Sequence, residues 1–239
     1  MHDNIRGTRV SQTISITNSE SLYYATRDAS RQAYIDQARF SLCDGIGVVL
    51  AARAEGAVVH RVTGPDLMQA CCEYGVAREW RHFFYGGKPA VPELLVRKLT
   101  ARFPGMITAG TYAPPFRPLS AEEENSVVKM IRSSRADIVW VGLGLPKQEQ
   151  WISEHWLRLD VPWLIGVGAA FDFHAGTLKR APLWVRRGGC EWLYRLAREP
   201  RMFRRDIRSL VFLLDAVAGA ALHTARRPQR TAPAFRTLS

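Results

Sequence analysis

Cysteine is scarce: only Cys43, Cys71, Cys72 and Cys190 occur in 239 residues, with no Cys-x-x-Cys spacing and no accompanying histidine cluster. That excludes a disulfide scaffold and a structural zinc module, and it makes a reducing, cytoplasmic setting the expectation. Long hydrophobic runs are missing as well. No apolar stretch reaches the roughly 18 to 20 residues that span a bilayer, and residues 1–9 are polar instead of carrying a signal-peptide core. Neither a membrane crossing nor a cleavable export signal is expected. The chain has no Gly-x-x-x-x-Gly-Lys-Ser/Thr and no Gly-x-Gly-x-x-Gly with a downstream acid, so a P-loop ATPase and a dinucleotide dehydrogenase lose their best support. Asp-x-Asp is also absent, and with it the usual carboxylate pair that holds a divalent ion beneath a nucleotide diphosphate. His174 stands near Asp172, but one of each makes no metal site, and His174 reads as a structural histidine.

What is present is a chain that is 47% hydrophobic and 23% charged, long enough for one generous core or two small ones. Its net charge of +11 is unevenly placed. Residues 179–208 hold ten Lys/Arg against three acids, and the tail from Thr224 adds four arginines and no acid, so the first 178 residues are close to neutral. Nine of those ten cations are arginine, which favours planar, bidentate recognition of phosphate. The expected partner is anionic: a nucleotide diphosphate, a lipid headgroup or nucleic acid.

Up to about residue 168, short β-branched or aromatic runs alternate with longer amphipathic stretches, the pattern of an α/β fold with a mostly parallel sheet flanked by helices. The runs predict strands at 13–17, 47–50, 82–85, 106–111, 138–141 and 163–167. Helices are predicted at 19–38, 65–74, 89–102 and 120–134, and from Pro146 onward. Ser120 followed by Glu123 is a capping-box spacing, and Pro65 suits a first helical turn. After Gly176 tryptophans and arginines replace the alternation. Residues 193–222 read as helical, with an apolar second half from 210 to 222 interrupted by Asp215 and too short to span a bilayer. Three parts follow: an α/β domain over 1–176, a basic helical appendage over 177–223 and a tail over 224–239 expected to be disordered.

Chemistry-bearing residues collect at the predicted strand ends. The turn from Gly142 to Gly144 leads into Lys147, Gln148 and Glu149 at a helix start, where free N–H groups can meet a phosphate. Tight turns alone would explain the glycines but not that polar trio. Asp44-Gly45 is a turn signal, and its carboxylate could equally serve as a general base toward a hydroxyl. Arg61, Gly64 and Asp66 form a further polar cluster before a helix, for which a helix entrance with a satisfied Asp carries at least equal weight. With no metal pair in view, a departing diphosphate would have to be met by arginines and helix N-termini.

Several segments in order then resemble one family, the bacterial WecG/TagA/CpsF glycosyltransferases. They are Thr17-Asn18-Ser19-Glu20, Asp44-Gly45-Ile46-Gly47, Arg61-Val62-Thr63-Gly64-Pro65-Asp66-Leu67 and Phe84-Tyr85-Gly86-Gly87. They continue with Val141-Gly142-Leu143-Gly144-Leu145-Pro146-Lys147-Gln148-Glu149, Gly166-Val167-Gly168, Gly176-Thr177-Leu178-Lys179-Arg180-Ala181-Pro182, Glu191-Trp192-Leu193-Tyr194-Arg195-Leu196 and Glu199-Pro200-Arg201. The resemblance implies a Rossmann-like sheet and an inverting sugar transfer that needs no metal and no cofactor. The donor would be a UDP-sugar and the acceptor a polyprenyl-diphosphate-linked sugar, met at the cytoplasmic face of the membrane by a basic appendage. It implies Asp44 as the catalytic base with Asn18 beside it. Thr17, Arg61, Gly142, Gly144, Lys147, Gln148, Glu149 and Asp172 would stand around the nucleotide-sugar, and Arg195, Arg201 and Arg204 would handle the diphosphate. The transferred sugar is left as N-acetylmannosamine, its uronic acid or glucose, and homo-oligomer formation is left open.

Two departures accompany the match. Family members commonly carry Thr-x-Asn in the first motif, and the Thr position here is Ile16, with Thr17 on the opposite face of the strand. Only about a dozen residues precede that motif, where relatives usually have a further strand and helix, which leaves two readings: a misassigned start, or an absent first element that would expose a sheet edge. The competing readings are a catalytically inactive scaffold and a basic nucleic-acid-binding protein. No RNA-binding aromatic motif accompanies the sheet, so nucleic acid is not expected as a partner. An anionic membrane surface is, since clustered cations contribute on the order of 1 kcal/mol each beside one.

Overall fold

A computed structural model describes residues 11–187, 194, 207–212 and 214–215. Six strands, β1 (Gln12–Thr17), β2 (Phe40–Cys43), β3 (Arg81–Gly86), β4 (Ile107–Tyr112), β5 (Ile138–Gly142) and β6 (Trp163–Gly166), form one sheet in the order β2-β1-β6-β5-β3-β4. Every pairing is parallel. All carboxyl ends therefore lie along one edge, where such sheets bind ligands. The helices are α1 (Ser19–Ala25), α2 (Ala29–Gln37), α3 (Ile46–Ala54), α4 (Gly64–Val76), α5 (Val91–Arg102), α6 (Ala121–Ser134), α7 (Lys147–Leu159), α8 (Ala170–Ala175) and α9 (Leu183–Arg187).

Both faces of the sheet are covered, and strand alternation sorts side chains between two cores. Phe84, Trp140, Ile14 and Ile165 pack with Met68, Leu95 and Phe171 from α4, α5 and α8. Their neighbours Phe83, Tyr85, Val139 and Leu164 pack with Tyr34, Ile131, Trp151 and Ile152 from α2, α6 and α7. Each such fully buried side chain contributes roughly 1.5–3 kcal/mol. The capping box forms as its spacing predicts: Ser120 Oγ accepts from the Glu123 amide, and the Glu123 carboxylate accepts from the Ser120 amide.

Two predicted elements change, and one strand forms that was not predicted. Residues 47–50 are helical within α3, not a strand, because Val48 and Val49 are buried while Leu50 is 48% exposed, a one-sided helix and not a pleat. The strand of that region is β2, which among the described residues pairs only with β1 and exposes Phe40 at the sheet margin. The helix predicted over 19–38 is two, since Asp28 is extended and its side chain accepts from the Ser30 amide to start α2. Of the helix predicted over 193–222, residues 194, 207–212 and 214–215 are helical. The remainder of that stretch and the tail over 224–239 lie outside the described residues.

At the amino end of β3 sits a fully buried histidine. His82 Nδ1 accepts from Trp140 Nε1 at 3.1 Å, which leaves the ring proton on Nε2, an atom with no partner among the described residues. Burial lowers the His82 pKa from 6.5 to about 4. Above pH 6.5 the imidazole is neutral in both folded and unfolded chains. As pH falls from 6.5 toward 4 the unfolded chain takes up a proton that the folded chain refuses. Stability is therefore lost across that window, by about 3 kcal/mol in all. Urea midpoints measured from pH 7 to pH 4 should fall accordingly, and His82→Phe should flatten the decline; an equal decline in the variant would assign it elsewhere.

Candidate active site

The site is assembled where β2, β1, β6 and β5 end side by side. Asp44 follows β2 directly, and its amide donates to Thr17 O at 2.8 Å, so the ends of β2 and β1 are tied together. Gly45 then takes φ +92, a left-handed conformation that a side chain would strain, and this turn points the chain into α3. Asp44 keeps about a quarter of its side chain exposed and stands 3.8 Å from Arg61 Nη2. Arg61 is brought there by the segment before α4, where the Val62 amide donates to Cys43 O at 2.9 Å. A carboxylate with a guanidinium at its shoulder and an open side is equipped to accept a proton from an incoming hydroxyl.

Asn18 closes β1 and caps α1, its Oδ1 accepting from the Ser21 amide at 2.9 Å. It thereby fixes the chain next to Asp44. Thr17 is buried, its hydroxyl 2.9 Å from that of Ser15 on the α2/α7 side of β1. Ile16 is buried in the core on the other face. The opposite orientation expected of the two residues is what the strand shows.

Gln148 lies over the end of β6. A Cβ on Gly166 would stand 3.1 Å from Gln148 Nε2, and one on Gly168 would stand 3.5 Å from Oε1. The absence of side chains there lets the amide lie flat on the strand end. Its backbone N–H donates to Gly144 O, from the turn that follows β5 at Gly142. Gln148 is 6% exposed, and its buried Oε1 has no hydrogen-bond partner among the described residues, an acceptor left unsatisfied within the fold. With strands about 4.8 Å apart, the end of β6 lies about 10 Å from that of β2. Asp44 and Gln148 thus stand at two points along the same carboxyl edge. Lys147 is exposed on the first turn of α7.

Glu149, the next residue, is buried between α7 and α1, where Oε1 accepts from Ser21 Oγ at 2.8 Å. Burial pushes its carboxyl above the usual range. Asp172 is half-buried on α8 and accepts from Thr177 Oγ1 at 2.9 Å, closing the turn at Gly176. His174 Nε2 meets Pro65 O at 2.9 Å, in keeping with a structural histidine. Thr63 caps α4, and Asp66 accepts from Arg180 through both oxygens at 2.6 and 2.9 Å, the satisfied helix entrance that was one reading of that cluster. Arg195, Arg201 and Arg204 lie outside the described residues.

Sequence reasoning missed two pairs that the fold makes. Arg180 was legible only as part of Lys-Arg-Ala-Pro, and its partner Asp66 stands 114 positions away. Glu20, 5% exposed, accepts from Arg208 Nη2 at 2.6 Å across 188 positions. No local pattern marks either pair. Among the described residues no group of three or more His, Cys, Asp or Glu side chains could hold a metal ion. No helix among them is long and apolar enough to cross a membrane.

The chain is 31% identical over 208 residues, 87% of its length and 80% of the relative's, to an N-acetylglucosaminyldiphosphoundecaprenol N-acetyl-beta-D-mannosaminyltransferase of Staphylococcus aureus strain MW2. A protein of the same name from strain NCTC 8325 / PS 47 is 33% identical over 183 residues, 76% of this chain and 70% of the relative. Residues 2–227 match the model of the Glycosyl transferase WecG/TagA/CpsF family. With a parallel sheet whose carboxyl edge gathers Asp44, Arg61, Asn18 and Gln148, and a family match from end to near end, this chain belongs to the WecG/TagA/CpsF family of glycosyl transferases.

Proposed function

We propose that the protein transfers N-acetylmannosamine from its UDP-activated form to N-acetylglucosamine carried on a polyprenyl diphosphate, with inversion and without a metal ion. The observation that carries this reading is the placement of Asp44, about a quarter exposed, beside Arg61 at the end of β2, two strands from the end of β6 where Gln148 lies. Asp44 takes the proton of the acceptor hydroxyl as the oxygen attacks the anomeric carbon of the donor. The C–O bond to UDP breaks on the opposite face, and the departing diphosphate acquires charge that a cation must meet. Arg195, Arg201 and Arg204 of the basic segment supply it, doing with guanidinium groups what a divalent ion does elsewhere. Gln148 Oε1 accepts from a donor hydroxyl or the uracil N–H and sets the register of the nucleotide-sugar. The relatives' printed names support both the transferred sugar and the lipid-linked acceptor.

The basic segment over 177–223 would hold the enzyme on the inner face of the plasma membrane, where a lipid-borne acceptor resides. Clustered cations at an anionic surface contribute on the order of 1 kcal/mol each. The test is UDP release in EDTA from UDP-N-acetylmannosamine, its uronic acid and UDP-glucose, with a polyprenyl-diphosphate N-acetylglucosamine analogue as acceptor. Acceptor-dependent release with UDP-N-acetylmannosamine alone is expected. Release confined to another donor would change the sugar, and activity only after a divalent ion is restored would overturn the metal-free mechanism.

A further inference from the structure

Glu20 stands out from the rest of the molecule because a carboxylate this buried needs a cation, and it obtains one from far along the chain. Arg208 reaches it with both Nε, at 3.1 Å, and Nη2, at 2.6 Å, onto the same Oε1. Nearby, Arg208 and Arg31 lie against the Tyr24 ring at 5.4 and 4.9 Å. An outer pair, Arg27 with Asp215 at 3.6 Å, is about half exposed and contributes little. The contact between residues 207–215 and α1 therefore centres on one buried carboxylate. Its immediate neighbours are the site: Asn18 caps the same helix, and a Cβ on Gly47 would stand 2.5 Å from Ser19 Oγ, so the first turn of α1 abuts the start of α3 just past Asp44.

We propose that Glu20 is the docking receptor for the basic C-terminal segment and a positioning residue for the transfer reaction. Polymer geometry gives the consequence. Four residues separate Arg204 from Arg208, so once Arg208 is held on Glu20, the Arg204 Cα lies within about 14 Å of the Arg208 Cα, and that of Arg201 within about 25 Å. At the other end, Arg180 is held by Asp66 and Thr63 at the entrance to α4. Two guanidinium–carboxylate anchors thus tether both ends of the arginine-bearing segment at the carboxyl edge of the sheet. Replacing Arg208 while the segment stays docked leaves the Glu20 carboxylate without its cation in a buried setting, so the docked arrangement depends on this pair.

The positioning role rests on the sugar-transfer reading, but docking does not, and the experiment separates them. Hydrogen exchange on the full chain would be followed in peptides covering 207–215 and α1, alongside UDP affinity and acceptor-dependent transfer, for Glu20→Gln, Arg208→Gln and Arg208→Lys. Arg208→Gln leaves the sheet domain untouched, so it remains informative if Glu20→Gln fails to fold. Exchange over 207–215 should accelerate at least about tenfold in both glutamine variants, with most protection retained in Arg208→Lys. Acceptor kcat/KM and UDP affinity should both fall about tenfold or more in the glutamine variants and be largely restored in Arg208→Lys, a rescue that a general loss of structure would not produce. Unchanged exchange would overturn docking through Glu20. Faster exchange with unchanged transfer would overturn the positioning role. A wild-type chain silent with every donor would overturn the sugar-transfer reading and the positioning role built on it, while the exchange data still decide docking.

Discussion

Asp44→Asn is expected to lower acceptor-dependent turnover by roughly 10²- to 10⁴-fold, the range that a positioned general base contributes, with UDP affinity unchanged. That loss corresponds to about 3–5 kcal/mol in the barrier. The stability cost is far smaller. The pair with Arg61 is 3.8 Å long and about a quarter exposed on each side, a geometry worth at most about 1 kcal/mol. The catalytic effect should therefore dominate, and thermal melts should barely separate the variant from the wild type. Asparagine keeps the size of the side chain and the Asp44 amide bond to Thr17 O that joins β2 to β1. Retained turnover would show that another group takes the proton, and retained membrane attachment with no turnover in either protein would favour a scaffold.

Gly86→Ala should produce the largest loss of stability among conservative changes. Gly86 ends β3 in register with Gly142 of β5, at φ +122. A Cβ there would stand 2.6 to 2.9 Å from the backbone C, O and N of Gly142. Those are main-chain atoms of a central strand and have nowhere to go, unlike the tip of a flexible side chain. Strain from the backbone conformation, about 1–2 kcal/mol, adds to overpacking of about 1–3 kcal/mol. For a chain of this size the sum lowers Tm by roughly 5–15 °C. The damage would also reach the site, because Gly87 donates its N–H to Gly142 O at the turn preceding Gly144 and Gln148. A Tm within 2 °C of the wild type, taking that as about 1 kcal/mol or less, would show that the two strand ends can separate without cost.

Much of this architecture is legible in local patterns. Apolar runs of four to six residues separated by amphipathic stretches identify five of the six strands, and Ser120 with Glu123 marks a helix start that forms as written. The glycines before Gln148 mark the end of β5 for the same reason, whereas Asp44-Gly45 reads in the sequence as a turn before a strand at 47–50 and closes β2 only in the fold. Chemistry at the carboxyl edge of a parallel sheet needs a tight turn directly after the strand. Where the reading failed, the local signal was shared by two structures. Val48-Val49 has the β-branched look of a strand, yet both side chains are buried from a helix. Phe40–Cys43 has too few buried positions to stand out, since an edge strand receives half of its definition from β1.

The sequence by itself determined the α/β class, the parallel sheet, the concentration of arginine after Gly176, the family, and Asp44, Arg61 and Gln148 as residues to watch. Periodicity, turn chemistry and charge act over a few residues and survive in a linear string. Only the tertiary structure decided which strands are neighbours, that Gln148 lies flat on Gly166 and Gly168, and that Glu149 joins α7 to α1 through Ser21. It alone paired Asp66 with Arg180 and Glu20 with Arg208, contacts that span 114 and 188 positions. The physical reason is range: an ion pair acts over a few ångströms, and only the folded sheet brings residues so far apart in sequence that close; for Glu20, which is buried, the cation also offsets its withdrawal from water.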